Sequence, residues 1–140
     1  MARADIPTID PASAPYWEAA RQGRLLIAKC GACSNVHHYP RPVCPYCWSD
    51  DVYPVQASGN GTLYTYSTVY VNDLPPFCDR LPYVVAIVEL ADGPKLMTMI
   101  EGAPPEQLRI GQAVTASFRP VDDDPDSPFL TVFTPIEETA

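Results

Sequence analysis

The stretch Cys30-Gly31-Ala32-Cys33, followed ten residues later by Cys44-Pro45-Tyr46-Cys47, decides how this chain is read. Two residues between cysteines let both sulfurs of one tight turn point at one centre. A second such turn across a short hairpin completes a tetrahedral thiolate cage. The intervening Val36-His37-His38-Tyr39-Pro40 can run out and back between the two turns. Four thiolates suit a closed site with no open coordination position. The residues therefore predict one zinc ion per chain, held by Cys30, Cys33, Cys44 and Cys47. His37 and His38 are read as exposed polar positions on the hairpin, because four cysteines already close the site.

Three other readings of these cysteines compete. The start of the chain, Met1 to Pro7, has one basic residue and no apolar run, so it does not read as a secretory leader. Disulfides are accordingly disfavoured, and the expected compartment is cytoplasmic. Cys44-Pro45-Tyr46-Cys47 is also the sequence of glutaredoxin-like redox sites. That chemistry needs a strand before the motif and a helix after it. Here another cysteine pair precedes it and Trp48-Ser49-Asp50-Asp51 follows. Iron in a rubredoxin-like knuckle ranks below zinc, and the choice between the two metals stays open at this point. Cys78, in Pro75-Pro76-Phe77-Cys78-Asp79, is left over and reads as a free thiol.

Outside the cysteines, the chain is acidic and rich in proline. It has 140 residues, 17 prolines and a formal net charge of -8. Seventeen prolines argue against a helical bundle, since an interior proline costs about 3 kcal/mol of helix. The charge argues against a phosphate backbone as partner. No run approaches the roughly 20 apolar residues of a membrane span. Residues 1–13 read as an extended arm, residues 14–56 as a helix plus the ribbon, and residues 57–140 as a second unit. In the first unit, Ser13 is a plausible N-cap, Pro15 suits a first turn, and Gly23 suits the end of a short helix. Tyr16 and Trp17 are more apolar surface than so short a helix can bury, which makes them candidate partner-docking residues.

The second unit reads as all β. Gly61 to Val71 is rich in β-branched and aromatic residues. Tyr83 to Leu90 is nearly continuous in apolar residues and suits a central strand, with Asp92-Gly93 turning it into Lys95 to Glu101. Pro104 to Leu108 suits one helical turn. Ala113 to Arg119 and Phe129 to Thr134 are the remaining strands, and Asp50 to Gly61 reads as a polar, turn-rich connection. The acidic run from Asp122 to Asp126 reads as a solvated hairpin tip. The fold class is mostly β: a short N-terminal helix, a rubredoxin-like zinc ribbon, then a small five-stranded OB-fold barrel.

No catalytic set accompanies this fold. There is no GxxxxGK, GxGxxG or His-Glu-x-x-His, and both histidines lie in the ribbon. A binding or assembly module fits better than a self-sufficient enzyme.

The order of motifs carries a resemblance. An aromatic helix leads into Cys-x-x-Cys and Cys-Pro-x-Cys, then Gly-x-Leu-Tyr-Thr-Tyr-Ser-Thr-Val-Tyr (Gly61 to Tyr70), Pro-Tyr-Val-Val-Ala-Ile-Val-Glu-Leu (Pro82 to Leu90) and Leu-Arg-Ile-Gly-Gln-Ala-Val (Leu108 to Val114). Over roughly residues 14 to 135 this resembles the zinc-ribbon/OB-fold acyl-CoA-associated family catalogued as domain of unknown function 35. The resemblance implies a non-catalytic accessory subunit in a hetero-oligomer. Its partner would be a thiolase-like enzyme: a thiolase, a hydroxymethylglutaryl-CoA-synthase-like enzyme or a steroid side-chain aldolase. The OB domain would help hold the acyl-CoA at the shared interface. An adenine that stacks and phosphates that want cations make Phe77, Arg80, Tyr83, Lys95 and Arg109 the candidate CoA-binding residues. Two other functions stand as alternatives: single-stranded nucleic-acid binding on the OB barrel, which the charge opposes, and rubredoxin-like electron transfer.

Overall fold

The computed structural model describes residues 6–121 and 126–136. The expected helix forms as α1 (Ala14–Arg21), with a proline in its first turn, where a missing amide hydrogen removes no helical bond. Ser13 occupies the N-cap but does not cap through its side chain. Its hydroxyl instead accepts the Asp10 amide at 3.1 Å, while the Asp10 carboxylate accepts the Ser13 amide at 2.8 Å. At the other end Gly23 takes φ 77°. Its amide donates to the Ala20 carbonyl and that of Arg24 to the Ala19 carbonyl, the paired closure that glycine permits after a helix.

The ribbon is a three-stranded antiparallel sheet in the order β2-β1-β3, formed by β1 (Leu26–Cys30), β2 (Val36–His37) and β3 (Val52–Gln56). The third strand corrects the sequence reading, which takes Asp50 to Gly61 as a connection. Its residues pair with β1 from Leu26↔Gln56 to Cys30↔Val52. Pro54 disguises it. Proline lacks a ladder donor and is tolerated on edge strands, and β3 is an edge.

Five strands close the barrel in the order β4-β5-β6-β8-β7: β4 (Asn60–Val69), β5 (Tyr83–Leu90), β6 (Lys95–Ile100), β7 (Ala113–Pro120) and β8 (Phe129–Pro135). This is the OB-type ring expected. β5 is central, with β4 and β6 on its two sides. Its Val84, Ala86, Val88 and Leu90 face the core, and the alternate residues Val85 and Ile87 are half-buried on the outer face. Gly61 lets β4 approach β5: a Cβ there would meet Val88 Cγ1 at 2.6 Å and the Glu89 carbonyl oxygen at 2.8 Å. Closure between β6 and β8 is parallel and rests on one register pair, Ile100↔Phe133. The Glu101 amide adds a bond to the Phe133 carbonyl at 2.9 Å, and the Thr98 hydroxyl adds one to the Thr131 carbonyl at 2.9 Å.

Leu63, Val88, Val114 and Phe133 are fully buried inside the ring. Leu25 and Ile27, from the ribbon side, belong to the same apolar cluster. Ribbon and barrel therefore share one core. Of the acidic run expected to form a hairpin tip, residues 122–125 lie outside the described residues.

Candidate metal centre and ligand cleft

The two cysteine turns are built alike. In the first, the Cys30 amide donates to the Asn35 carbonyl at 3.0 Å and the Ser34 amide to the Cys30 carbonyl at 2.9 Å. In the second, the Cys44 amide donates to the Ser49 carbonyl at 2.8 Å and the Trp48 amide to the Cys44 carbonyl at 2.9 Å. The residue after each second cysteine is left-handed, Ser34 at φ 66° and Trp48 at φ 67°. These matched turns bring the four cysteine sulfurs within 4.8 Å of one another. Cys30 and Cys47 sulfurs are 3.6 Å apart, as are those of Cys33 and Cys44. A tetrahedron with metal–sulfur bonds of about 2.3 Å has edges of about 3.8 Å, so the cage fits a tetrathiolate zinc ion.

Donors already surround the sulfurs. The amides of Ala32 and Cys33 approach Cys30 at 3.3 and 3.5 Å, that of Tyr46 approaches Cys44 at 3.4 Å, and the Asn35 side chain approaches Cys33 at 3.4 Å. The Cys33 amide, with that of Ala32, holds the Cys30 thiol below its usual range against the opposing effect of desolvation. Desolvation raises Cys44, but the amides of Cys47 and Tyr46 outweigh it and bring the thiol to about 7. At Cys47 the Ser49 amide favours the thiolate, yet desolvation and the three neighbouring cysteines push it up to about 12. Four negative sulfurs in so small a volume need a cation between them. Bound there, a zinc ion would link the two turns and leave no position open for substrate. Gly31 sits beside the Asp51 carboxylate, and its amide donates to the Asp51 carbonyl at 2.7 Å, tying the first turn to the start of β3.

The histidines depart from the sequence reading. His37 and His38 are buried, at 6% and 8% exposure, and not exposed on the hairpin. α1 folds over this part of the ribbon. The His38 ring sits edge-on to Tyr16 at 5.6 Å and to Tyr39 at 4.7 Å, and among the described residues none of the ring nitrogens of the two histidines has a hydrogen-bond partner. Burial, with His37 beside it, lowers His38 to about 4. Tyr16 turns inward: its hydroxyl is 2.8 Å from Thr131 Oγ1, and its ring packs on the shared core. Trp17 is half-buried beside it, with ring centroids 5.2 Å apart.

The candidate CoA residues are distributed over three places. Arg80 and Tyr83 line a cleft of about 510 Å³ at one end of the barrel, and Phe77 lies 6.1 Å from Tyr83, ring to ring. Arg109 lines a neighbouring cleft of about 440 Å³ that shares Ala103 with the first. Lys95 lies elsewhere, 3.7 Å from the Glu89 carboxylate and over the Tyr64 ring. The larger cleft also holds an ion pair between Arg119, one of the barrel's cations, and Glu101. Arg119 Nε is 2.9 Å from both Glu101 carboxylate oxygens, and its terminal nitrogen is 2.8 Å from one of them. Arg119 comes from β7 and Glu101 from the residue just after β6, and nothing in their spacing announces the contact. Cys78 is an exposed thiol in the 3₁₀ turn Phe77–Asp79.

Comparison with known proteins agrees with this architecture. Residues 17–52 match the ChsH2 rubredoxin-like zinc ribbon domain, and residues 54–119 match the ChsH2 C-terminal OB-fold domain. A DUF35 domain-containing scaffold protein of Methanocaldococcus jannaschii is 35% identical over 86% of this chain and 89% of its own length. A probable enoyl-CoA hydratase alpha subunit of Thermomonospora curvata is 38% identical over 95% of this chain, which spans only 41% of that protein. A solved Ltp2-ChsH2(DUF35) aldolase chain superposes with a TM-score of 0.80 at 39% identity, covering 92% of this chain and 98% of that one. With its four-cysteine cage placed to bind one metal ion and its closed five-stranded barrel, the chain belongs to the DUF35 family of zinc-ribbon/OB-fold proteins.

Proposed function

We propose that this chain is an accessory subunit of an acyl-CoA-processing enzyme, docking on a thiolase- or aldolase-like partner and helping to hold the acyl-CoA. The match over 98% of a DUF35 chain from an aldolase carries this reading. The hydratase alpha subunit that resembles the chain supports the acyl-CoA connection. The adjoining clefts that share Ala103 suit an elongated ligand. Arg80 stands in one and Arg109 in the other, Phe77 and Tyr83 provide an aromatic wall, and apolar lining lies between. The reacting groups would belong to the partner, and the ribbon metal would be structural.

The test is reconstitution with a purified thiolase- or aldolase-like subunit, screened from the organism that makes this chain. The two should co-elute, and CoA should bind the pair more tightly than either alone. Arg80→Gln with Tyr83→Ala should lower CoA affinity about tenfold without releasing the partner. A partner that is soluble, fully active and CoA-binding without this chain overturns the proposal.

A further inference from the structure

Trp48 is the most exposed large apolar residue among those described, at 82%. It also holds a left-handed backbone, φ 67°, which is unfavourable for a bulky residue. The other cysteine turn supplies an internal control. Ser34 occupies the same place with φ 66° and the same amide bond to the first cysteine's carbonyl. The turn geometry therefore does not require tryptophan. Among the described residues the ring has no aromatic or cation partner, and it lies outside the core cluster. A strained position carrying a large, wet aromatic side chain points to a role outside the fold.

The surroundings have the composition of a docking centre. Tyr46 is 64% exposed and Val43 43% on the same turn, and prolines 42 and 45 stiffen it. Tryptophan and tyrosine are the residues that most often anchor protein interfaces, and a rigid turn loses little freedom on binding. Charge selects the occupant. Asp50 and Asp51 follow Trp48, both exposed, and among the described residues neither carboxylate is in an ion pair. The chain as a whole carries -8, which disfavours a second copy against this acidic edge.

We infer that the tip of the second cysteine turn is the docking surface for the enzyme subunit. Trp48 enters an apolar socket on that subunit, and basic side chains at the socket's rim meet Asp50 and Asp51. This rests on the accessory-subunit reading and assigns it a place, the ribbon tip in preference to the inward-turned α1 aromatics.

Binding of the purified thiolase- or aldolase-like subunit to the zinc-loaded chain tests it. Trp48→Gly should weaken binding about 10- to 30-fold. It should leave zinc content unchanged and melt at the same temperature or above, because glycine relieves the left-handed strain. Ser34→Gly should change neither binding nor metal. Asp50→Asn should slow association and flatten its salt dependence. If the wild type does not bind, the accessory-subunit reading fails and takes this inference with it. If the wild type binds and Trp48→Gly binds equally, the inference alone is wrong. A Trp48→Gly chain that loses zinc or melts lower assigns the ring a structural role and overturns the inference. So does sedimentation showing Trp48-dependent self-association.

Discussion

The Tyr16 hydroxyl, on the helix that precedes the ribbon, is hydrogen-bonded at 2.8 Å to Thr131 Oγ1 on the last barrel strand. This bond joins the two ends of the described chain, and the Tyr16 ring beneath it covers both the ribbon and the core. Tyr16→Phe keeps the ring and removes the bond, so it should cost about 1 kcal/mol, read from the urea midpoint. Tyr16→Ala should cost about 3 kcal/mol or more, since packing is lost as well. Equal costs for the two substitutions would show that the ring contributes nothing.

Metal removal should reach beyond the ribbon. Leu25 and Ile27 share a core with Val88 and Phe133. A strong zinc chelator, or Cys30→Ser, should therefore lower the melting temperature of the barrel as well as unravel the cysteine turns. Metal analysis should return one zinc per chain, and the protein should be colourless. A barrel that melts unchanged without metal would show the two parts to be independent. Visible absorbance from bound iron would favour electron transfer.

His38 predicts a pH dependence with a definite sign. Its pKa falls from 6.5 to about 4 on folding because burial disfavours the charged ring. The unfolded chain therefore binds the proton more readily between those values. Stability is full above about pH 6.5 and declines as pH falls toward 4, by up to about 3 kcal/mol. Because the thiolate ligands also protonate in acid, the measurement is the difference between wild type and His38→Phe. That difference should shift toward the variant across this window, and a flat difference would remove the assignment.

Gly61→Ala should destabilise by about 1–3 kcal/mol. The new methyl group would press on the Glu89 carbonyl, a backbone atom of the neighbouring strand that cannot swing aside. Urea denaturation of the single variant suffices, and an unchanged midpoint would mean β4 relaxes away freely.

The metal site and most of the fold were legible in the sequence because their signals are local. Two Cys-x-x-Cys turns specify a cage by spacing alone. The strands from Tyr83 to Leu90 and from Ala113 onward are visible as β-rich runs. β3 was illegible because Pro54 interrupts its short Val-Tyr-Pro-Val run and turn-forming residues flank it, Asp50-Asp51 before and Ser58 to Gly61 after; its pairing is with a strand more than twenty residues earlier. His37 and His38 were misread for a similar reason. Their polarity suggests water, but α1 packs across that part of the hairpin, a contact no local pattern encodes. The candidate ligand residues scattered because cationic charge marks a residue type, whereas a cleft is made by strands far apart in the chain. Lys95 is committed to Glu89 and Tyr64, while the Glu101–Arg119 pair beside Arg80 emerged only from the fold.

The barrel's closure is mechanically uneven. Separating β6 from β8 breaks one register pair, whereas separating β6 from β5 breaks the six from Val84↔Ile100 to Glu89↔Lys95. The ring thus has a built-in latch at Ile100 and Phe133, and Glu101 on the cleft wall is the next residue along. The barrel should open first at this latch, so the amide of Glu101, bonded to the Phe133 carbonyl across it, should exchange its hydrogen sooner than those within β5. Met99, Ile100 and Glu101 line the cleft beside Arg80, so a ligand seated there would brace the β6 side of the seam and steady the barrel where it is stitched most thinly.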